Sequence, residues 1–175
     1  EIDTGIHTLM ALQQSVKLSN NHAIRFAVLV HDLGKGITPA HILPSHAGHE
    51  ARGVDLVDSL CDRLKVPNNF RQLALAVTEY HLMCHKALEL KPELILELLK
   101  GVGALKSNNK LNDFIRCCEA DARGRTGFEN RDYPSADYLR AALAAITDIS
   151  IADLVASGTN GAEIGRQLTL RRIAC

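Results

Sequence analysis

Apolar residues recur every three or four positions along most of the chain, which is the spacing of one face of an α-helix. In the first stretch these residues are Ile2, Ile6, Leu9, Leu12 and Val16. Stretches that alternate apolar and polar residues, as half-buried strands do, are scarce. The pattern predicts an all-α fold, a compact bundle of helices that pack with their apolar faces inward.

Capping residues and helix breakers between the apolar stretches predict where further helices begin and end. Asn21 can cap a second helix that runs to about Leu33, and Ser45 can cap a third, from about His46 to Lys65. The remaining predicted helices run from Pro67 to Leu88, from Pro92 onward, from Leu111 to Ala122, from Ser135 to Thr147, and from Ala162 to Ile173.

Several histidines and aspartates lie on the apolar faces of these predicted helices. A lone histidine there is usually a hydrogen-bonded core residue, but a buried carboxylate is costly unless it is paired or bound to a metal. Packing of the apolar faces would bring such residues together, so a group of them from separate helices is harder to explain as core. The residues are His7, His31, Asp32, His49, His81 and Asp121.

The adjacent pair His31 and Asp32 ends an apolar run in the segment FAVLVHDLGKG. We expect both residues to bind one divalent cation, with His7 and Asp121 completing the ligand set from other helices. Nitrogen and oxygen ligands without thiolate suit Mn, Fe, Co, Ni or Mg better than a structural zinc. Such an ion, with positions left open, can activate water and polarise a phosphoryl oxygen.

Three basic residues near these ligands could neutralise an anionic substrate. Lys35 follows His31 by one helical turn, and Arg123 and Arg125 follow Asp121 with side chains suited to bidentate phosphate contacts. The alternative interpretation is that all three are ordinary solvated charges.

Composition excludes some classes of protein. Aromatic residues make up only 4% of the chain, which favours aliphatic helix packing, and 20 basic residues balance 20 acidic ones, so net charge indicates neither a nucleic-acid nor a membrane partner. The odd number of cysteines, without a CxxC pair, predicts a reducing, cytoplasmic setting. We found no apolar run long enough to cross a bilayer.

A start at Glu1 is what we expect of a piece of a longer protein whose preceding domain is missing.

The order His7, then His31 with Asp32, then Asp121 resembles the H…HD…D signature of the HD superfamily of metal-dependent phosphohydrolases. That resemblance implies an HD-domain helical bundle in which these four residues bind the metal. His49 and His81 fall where two-metal members carry extra ligands, so the resemblance also offers them as a second metal site. His85, on the same predicted helix, is expected at the rim of the site.

Longer segments, among them HDLGKGITP, EADARGRTGFENRDYP and GAEIGRQLTLRRIA, resemble the C-terminal HD domain of bacterial CCA-adding enzymes, the tRNA nucleotidyltransferases of gamma-proteobacterial type. The resemblance implies hydrolysis of 2′,3′-cyclic phosphates and 2′-phosphates on small nucleotides, tRNA or RNA 3′ ends, with His31, Asp32 and Lys35 in catalytic roles. It divides the chain into an HD domain at residues 1–149 and a helical tail at residues 150–175.

An upstream nucleotidyltransferase domain is implied in the whole protein. Its paired-carboxylate motif Asp-x-Asp does not occur in this chain, so we expect no nucleotide addition by it. Two functional classes stay open: a phosphohydrolase, and a non-catalytic module that positions tRNA or joins subunits, as in a homodimer. Three arginines of the tail could contact RNA or a partner chain: Arg166, Arg171 and Arg172.

Overall fold

The computed structural model describes residues 3–175, so the predicted apolar position Ile2 lies outside the described residues. All regular structure in the described range is helical, which confirms the predicted all-α fold. The helices are α1 Thr4–Leu18, α2 His22–Val30, α3 His49–Leu64, α4 Asn68–His85, α5 Pro92–Gly101, α6 Asn108–Arg123, α7 Pro134–Thr147, α8 Ala152–Ala156 and α9 Gly161–Ile173.

The centre of the bundle is built from α2, α4 and α6, each of which packs against the other two. Helix α1 lies against α2 and α6, and α3 lies against α4. Helix α5 packs against α4, α7 and α9. The core is mainly aliphatic, and Ile24, Leu98, Leu99 and Phe114 are among its largest fully buried side chains.

Four predicted boundaries are wrong by three residues: α4 ends at His85 rather than Leu88, α6 begins at Asn108 rather than Leu111, and the other two, the end of α2 and the start of α3, lie beside the candidate site. Helix α2 ends at Val30, and the chain continues into a 3₁₀ helix, Leu33–Ile37. Helix α3 begins at His49 rather than at His46, because His46 and Gly48 have left-handed backbone conformations with φ of 54° and 73°. Its N-cap is therefore Gly48 and not Ser45, whose hydroxyl donates to the carbonyl of Ile42 instead.

The apolar positions of α1 do not form its buried face. Ile6, Leu9 and Val16 are 62%, 61% and 50% exposed. The residues that α1 buries are small or polar: His7, Ala11, Gln14 and Ser15. The sequence therefore predicted the helix correctly but assigned its inward face to the wrong residues.

Two glycines allow close approaches that bring the site together. Any side chain on Gly34 would collide with the backbone of His49 and Gly53, so the 3₁₀ helix can lie directly against the start of α3 only because this residue is glycine. A side chain on Gly124 would collide with the backbone of Ala11, so the end of α6 can touch α1 for the same reason.

The last two helices differ from the rest because neither α8 nor α9 contains a buried residue. The short α8 was not predicted, whereas α9 lies within one residue of its predicted start. The division at residue 149 stays a prediction. Within the described part of the chain, no helix has the length and apolar character needed to cross a bilayer.

Candidate metal centre

All six histidines and aspartates that the sequence singled out are buried, and they converge into one cluster. His7 comes from α1, His31 and Asp32 from the turn after α2, His49 from the first turn of α3, His81 from α4 and Asp121 from α6. We call these six residues the His/Asp cluster. It consists of two groups that share Asp32.

The first group contains the four residues predicted to bind one ion. Nε2 of His7 lies 2.8 Å from Oδ1 of Asp121 and 3.8 Å from Oδ2 of Asp32. Nε2 of His31 lies 3.3 Å from the same Asp32 oxygen and 3.7 Å from the same Asp121 oxygen. Two nitrogens and two oxygens thus form a closed ring in which each nitrogen faces both carboxylates.

The second group contains the two histidines offered as further ligands. Nε2 of His49 lies 3.1 Å from Oδ1 of Asp32, and Nε2 of His81 lies 3.8 Å from it. The two Nε2 atoms are 3.2 Å apart, so a hydrogen bond between them would require one of the two rings to carry a second proton. Asp32 therefore directs one oxygen to each group.

Backbone carbonyls hold the rings of the four cluster histidines from behind. Nδ1 of His7 contacts the carbonyl of Gly124, Nδ1 of His31 that of Val28, Nδ1 of His49 that of His46, and Nδ1 of His81 that of Val77, at 2.8–3.1 Å. A carbonyl can only accept, so Nδ1 carries a proton in each ring. In the neutral ring Nε2 then has its lone pair free, which is the arrangement that metal-binding histidines use.

The first group fits a divalent cation. Nε2 of His7 and Nε2 of His31 are buried and make no well-aligned hydrogen bond within the described residues, although carboxylate oxygens lie beside them. Atoms on adjacent positions of an octahedral ion with bonds of roughly 2.1 Å are about 3.0 Å apart. The ring contacts of 2.8–3.8 Å are close to that spacing. A cation could be held jointly by His7, His31 and Asp32, whose ligand atoms lie within 4.8 Å of one another, with Oδ1 of Asp121 beside His7.

The charges in the cluster shift its pKa values strongly. Burial lowers the pKa of His31, but the negative charges of Asp121 and Asp32 outweigh burial and raise it to about 10. Neighbouring cationic groups, His31 first, hold the pKa of both carboxyls well below the usual range in spite of burial. Burial, assisted by the charge of His31, lowers the pKa of His81 to about 4. The first group therefore pairs two ionised carboxylates with a protonated His31, whose Nε2 proton a bound cation would replace.

Lys35 is the basic residue that the structure brings to the cluster. Its Nζ lies 2.7 Å from Oδ2 of Asp32, and its side chain is 12% exposed. Arg123 instead pairs with Glu119 at 2.9 Å and donates to the carbonyl of Arg131. Arg125 is exposed and, within residues 3–175, contacts no member of the cluster. Of the three basic residues suggested for a phosphate, only Lys35 has the position for it.

His85 lies at the edge of the cluster, where the sequence analysis expected it, and it contacts Tyr133, which the sequence did not indicate. Nε2 of His85 lies 2.6 Å from Oδ2 of Asp121, and its Nδ1 lies 2.9 Å from the hydroxyl of Tyr133. The available signal was the spacing of His81 and His85 by one helical turn, which placed His85 at the rim. Nothing in the sequence linked Tyr133, which lies just before α7, to either residue.

Comparisons with known proteins identify the family of the chain. The HD domain family matches residues 4–149. A protein called Multifunctional CCA protein in Thioalkalivibrio sulfidiphilus is 56% identical over 99% of this chain, and proteins of the same name in Teredinibacter turnerae and Psychromonas ingrahamii are 49% and 48% identical over 99% of it. This chain spans 42% of the length of each of these relatives. No solved structure matches it.

Proposed function

We propose, from the premise that this chain belongs to the HD domain family, that it hydrolyses 2′,3′-cyclic phosphates and 2′-phosphates of nucleotides or RNA ends. Membership in the family indicates a metal-dependent phosphohydrolase in general. The observation that carries the proposal is the first group of the cluster, in which two histidine nitrogens without well-aligned hydrogen bonds face two permanently ionised carboxylates.

Each residue of the first group would have a defined part in holding the ion. His7 and His31 present Nε2 because carbonyls hold the opposite ring nitrogen. Asp32 and Asp121 present one oxygen each to the same ring of ligands. When bound there, a divalent cation such as Ni, Co, Mn or Mg supplies an activated water and draws charge from a phosphoryl oxygen.

Lys35 would steady the substrate. Its ammonium group lies beside Asp32, so a phosphate bound next to the first group would meet a positive charge there. That charge stabilises the transition state when the phosphoryl oxygens gain negative charge during attack. No side chain needs to act as the nucleophile. Asp32, His31 and Lys35 are thus the residues whose loss should affect catalysis most.

The substrate class comes from the resemblance to CCA-adding enzymes and from the name of the relatives. Because the relatives are longer, the rest of such a protein would contribute a nucleotidyltransferase domain and contacts with tRNA. RNA 3′ ends are then the substrates that reach this site in the whole protein, which we place in the cytoplasm. The isolated chain should act on small nucleotides with the same phosphate chemistry.

The test is hydrolysis of 2′,3′-cyclic AMP by chelator-treated protein to which Ni, Co, Mn or Mg is added back. At least one metal should restore activity. Asp32→Ala should abolish it and His31→Ala should nearly do so. His22→Ala is the matched control, because His22 is exposed and lies at the start of α2, the helix that precedes His31 and Asp32.

Two outcomes would contradict the proposal: no metal restores hydrolysis, or Asp32→Ala retains it. A non-catalytic module that positions tRNA would then be the better account. Far-ultraviolet circular dichroism of each variant must match the parent chain, so that a loss of activity is not a loss of fold.

A further inference from the structure

We propose that His85 and Tyr133 are positioning residues that hold Asp121 so that it offers a single oxygen to the cluster. The inference rests on the proposed metal site and adds two residues to it. It begins with an asymmetry between the two carboxylates. Asp32 directs both oxygens into the His/Asp cluster, one to each group, whereas Asp121 directs only Oδ1 there.

The second oxygen of Asp121 is already bound by protein. Nε2 of His85 lies 2.6 Å from Oδ2, on the opposite side of the carboxylate from the 2.8 Å contact between Oδ1 and His7. An ionised carboxylate can only accept, so Nε2 of His85 carries the proton of this bond. With Oδ2 fixed in this way, Asp121 can neither rotate nor bind an ion through both oxygens.

Tyr133 determines which nitrogen of His85 carries the proton. Its hydroxyl lies between Nδ1 of His85 at 2.9 Å and Sγ of Cys84 at 3.2 Å. Burial raises the pKa of Tyr133, so the hydroxyl stays a donor. The hydroxyl has a single proton, which the structure directs toward Sγ of Cys84 and for which Nδ1 of His85 is the other acceptor within reach. When that proton is given to Nδ1, the neutral His85 ring keeps its own proton on Nε2, which is the form that Asp121 requires.

The same contacts argue against two other roles for His85. Both of its nitrogens have protein partners, so neither is free to protonate a leaving group. Among the described residues, it also belongs to none of the groups whose atoms could jointly hold an ion. Its side chain is 21% exposed, at the edge of the cluster. Residues that hold a metal ligand in this way typically contribute a factor of about 10–100 in metal affinity.

The experiment measures Co²⁺ binding to the full chain by calorimetry and by visible absorption. His85→Ala should weaken binding by about 10–100-fold and change the Co²⁺ spectrum, because the freed Asp121 could bind through both oxygens. His85→Gln should restore much of the affinity and the spectrum, since an amide N–H can replace Nε2. Tyr133→Phe should weaken binding less than His85→Ala.

The outcomes separate this inference from the proposed function. If the unmodified chain binds Co²⁺ and His85→Ala binds it equally well with the same spectrum, the positioning role is wrong and the metal site stands. If His85→Gln is as weak as His85→Ala, a merely structural role is the better account. If the unmodified chain binds no metal, both ideas fail. His22→Ala again serves as the control.

Discussion

The two groups of the His/Asp cluster share Asp32 and both consist of histidine and aspartate side chains. They differ in what surrounds the Nε2 atoms of their histidines. In the second group, the Nε2 atoms of His49 and His81 lie 3.2 Å from each other and close to a single carboxylate oxygen, Oδ1 of Asp32. In the first group, the Nε2 atoms of His7 and His31 make no well-aligned hydrogen bond and face two carboxylates.

Buried polar atoms without partners are costly, so the first group gains far more from a cation than the second. The number of carboxylates near each group also favours cation binding at the first group. Two carboxylates lie 2.8–3.8 Å from the Nε2 atoms of the first group, while among the described residues the Nε2 atoms of the second group form ion-pair contacts with Asp32 alone. The low pKa of His81 means that its ring is neutral near pH 7 and adds no repulsion. We therefore expect one tightly bound ion, with a second ion binding more weakly if at all.

The strongest test of the difference between the two groups is to remove one histidine from each. His7→Ala should abolish both metal binding and hydrolysis, because the first group loses one of its four ligands. His81→Ala should keep about one equivalent of metal and lose only a weaker second equivalent, in which Asp32 would bridge two ions.

The two variants control each other, since both histidines are buried and held by backbone carbonyls. The metal content of each variant after desalting, measured by elemental analysis, shows which group binds the ion more tightly. Equal losses in the two variants would mean that the groups bind ions equally.

Lys35→Ala should have the next largest effect. It should lower kcat for 2′,3′-cyclic AMP by about 10–1000-fold, in the range of a lost transition-state donor, while metal content stays unchanged. Lys35→Arg should recover part of the rate because it keeps the charge. If Lys35→Ala lowered metal content and left kcat per bound ion unchanged, Lys35 would be supporting Asp32 and not the substrate.

The pH dependence of stability should show the charge of the first group in chelator-treated protein. The pKa of His31 is raised to about 10, so its stabilising interaction is fully present below pH 6.5 and is lost as pH rises toward 10. Between pH 6.5 and 8 the free energy of unfolding should fall by up to about 1.4 kcal/mol per pH unit.

The other groups with strongly shifted pKa values affect stability outside the range from pH 6.5 to 8. His81 and the two carboxyls titrate below it, and the thiols of Cys117 and Cys118 affect stability only above about pH 8, as their unfolded value of 9.0 is approached. Urea unfolding of the parent chain and of His31→Gln should therefore differ in slope. Parallel slopes would mean that His31 is neutral in the folded chain.

The sequence predicted the cluster well because its signal is local. Polar residues on the apolar faces of helices stand out, and a bundle that packs those faces inward must bring them together. The adjacent pair His31 and Asp32 was especially informative, since one turn of backbone presents both side chains.

The sequence did not predict the contacts that depend on the shapes of the packed helices. On α1, hydrophobicity favoured Ile6 and Leu9 as the buried face, but the close approach of Gly124 admits only small side chains such as Ala11. Likewise, Tyr133 reaches His85 across 48 residues, and no periodicity records such a contact.

The most direct test of the account is a crystal of the chain grown with Mn²⁺ and measured at the manganese absorption edge. The account predicts one strong anomalous peak bounded by Nε2 of His7, Nε2 of His31, Oδ2 of Asp32 and Oδ1 of Asp121. A peak only between His49 and His81, or no peak in the cluster at millimolar Mn²⁺, would contradict it.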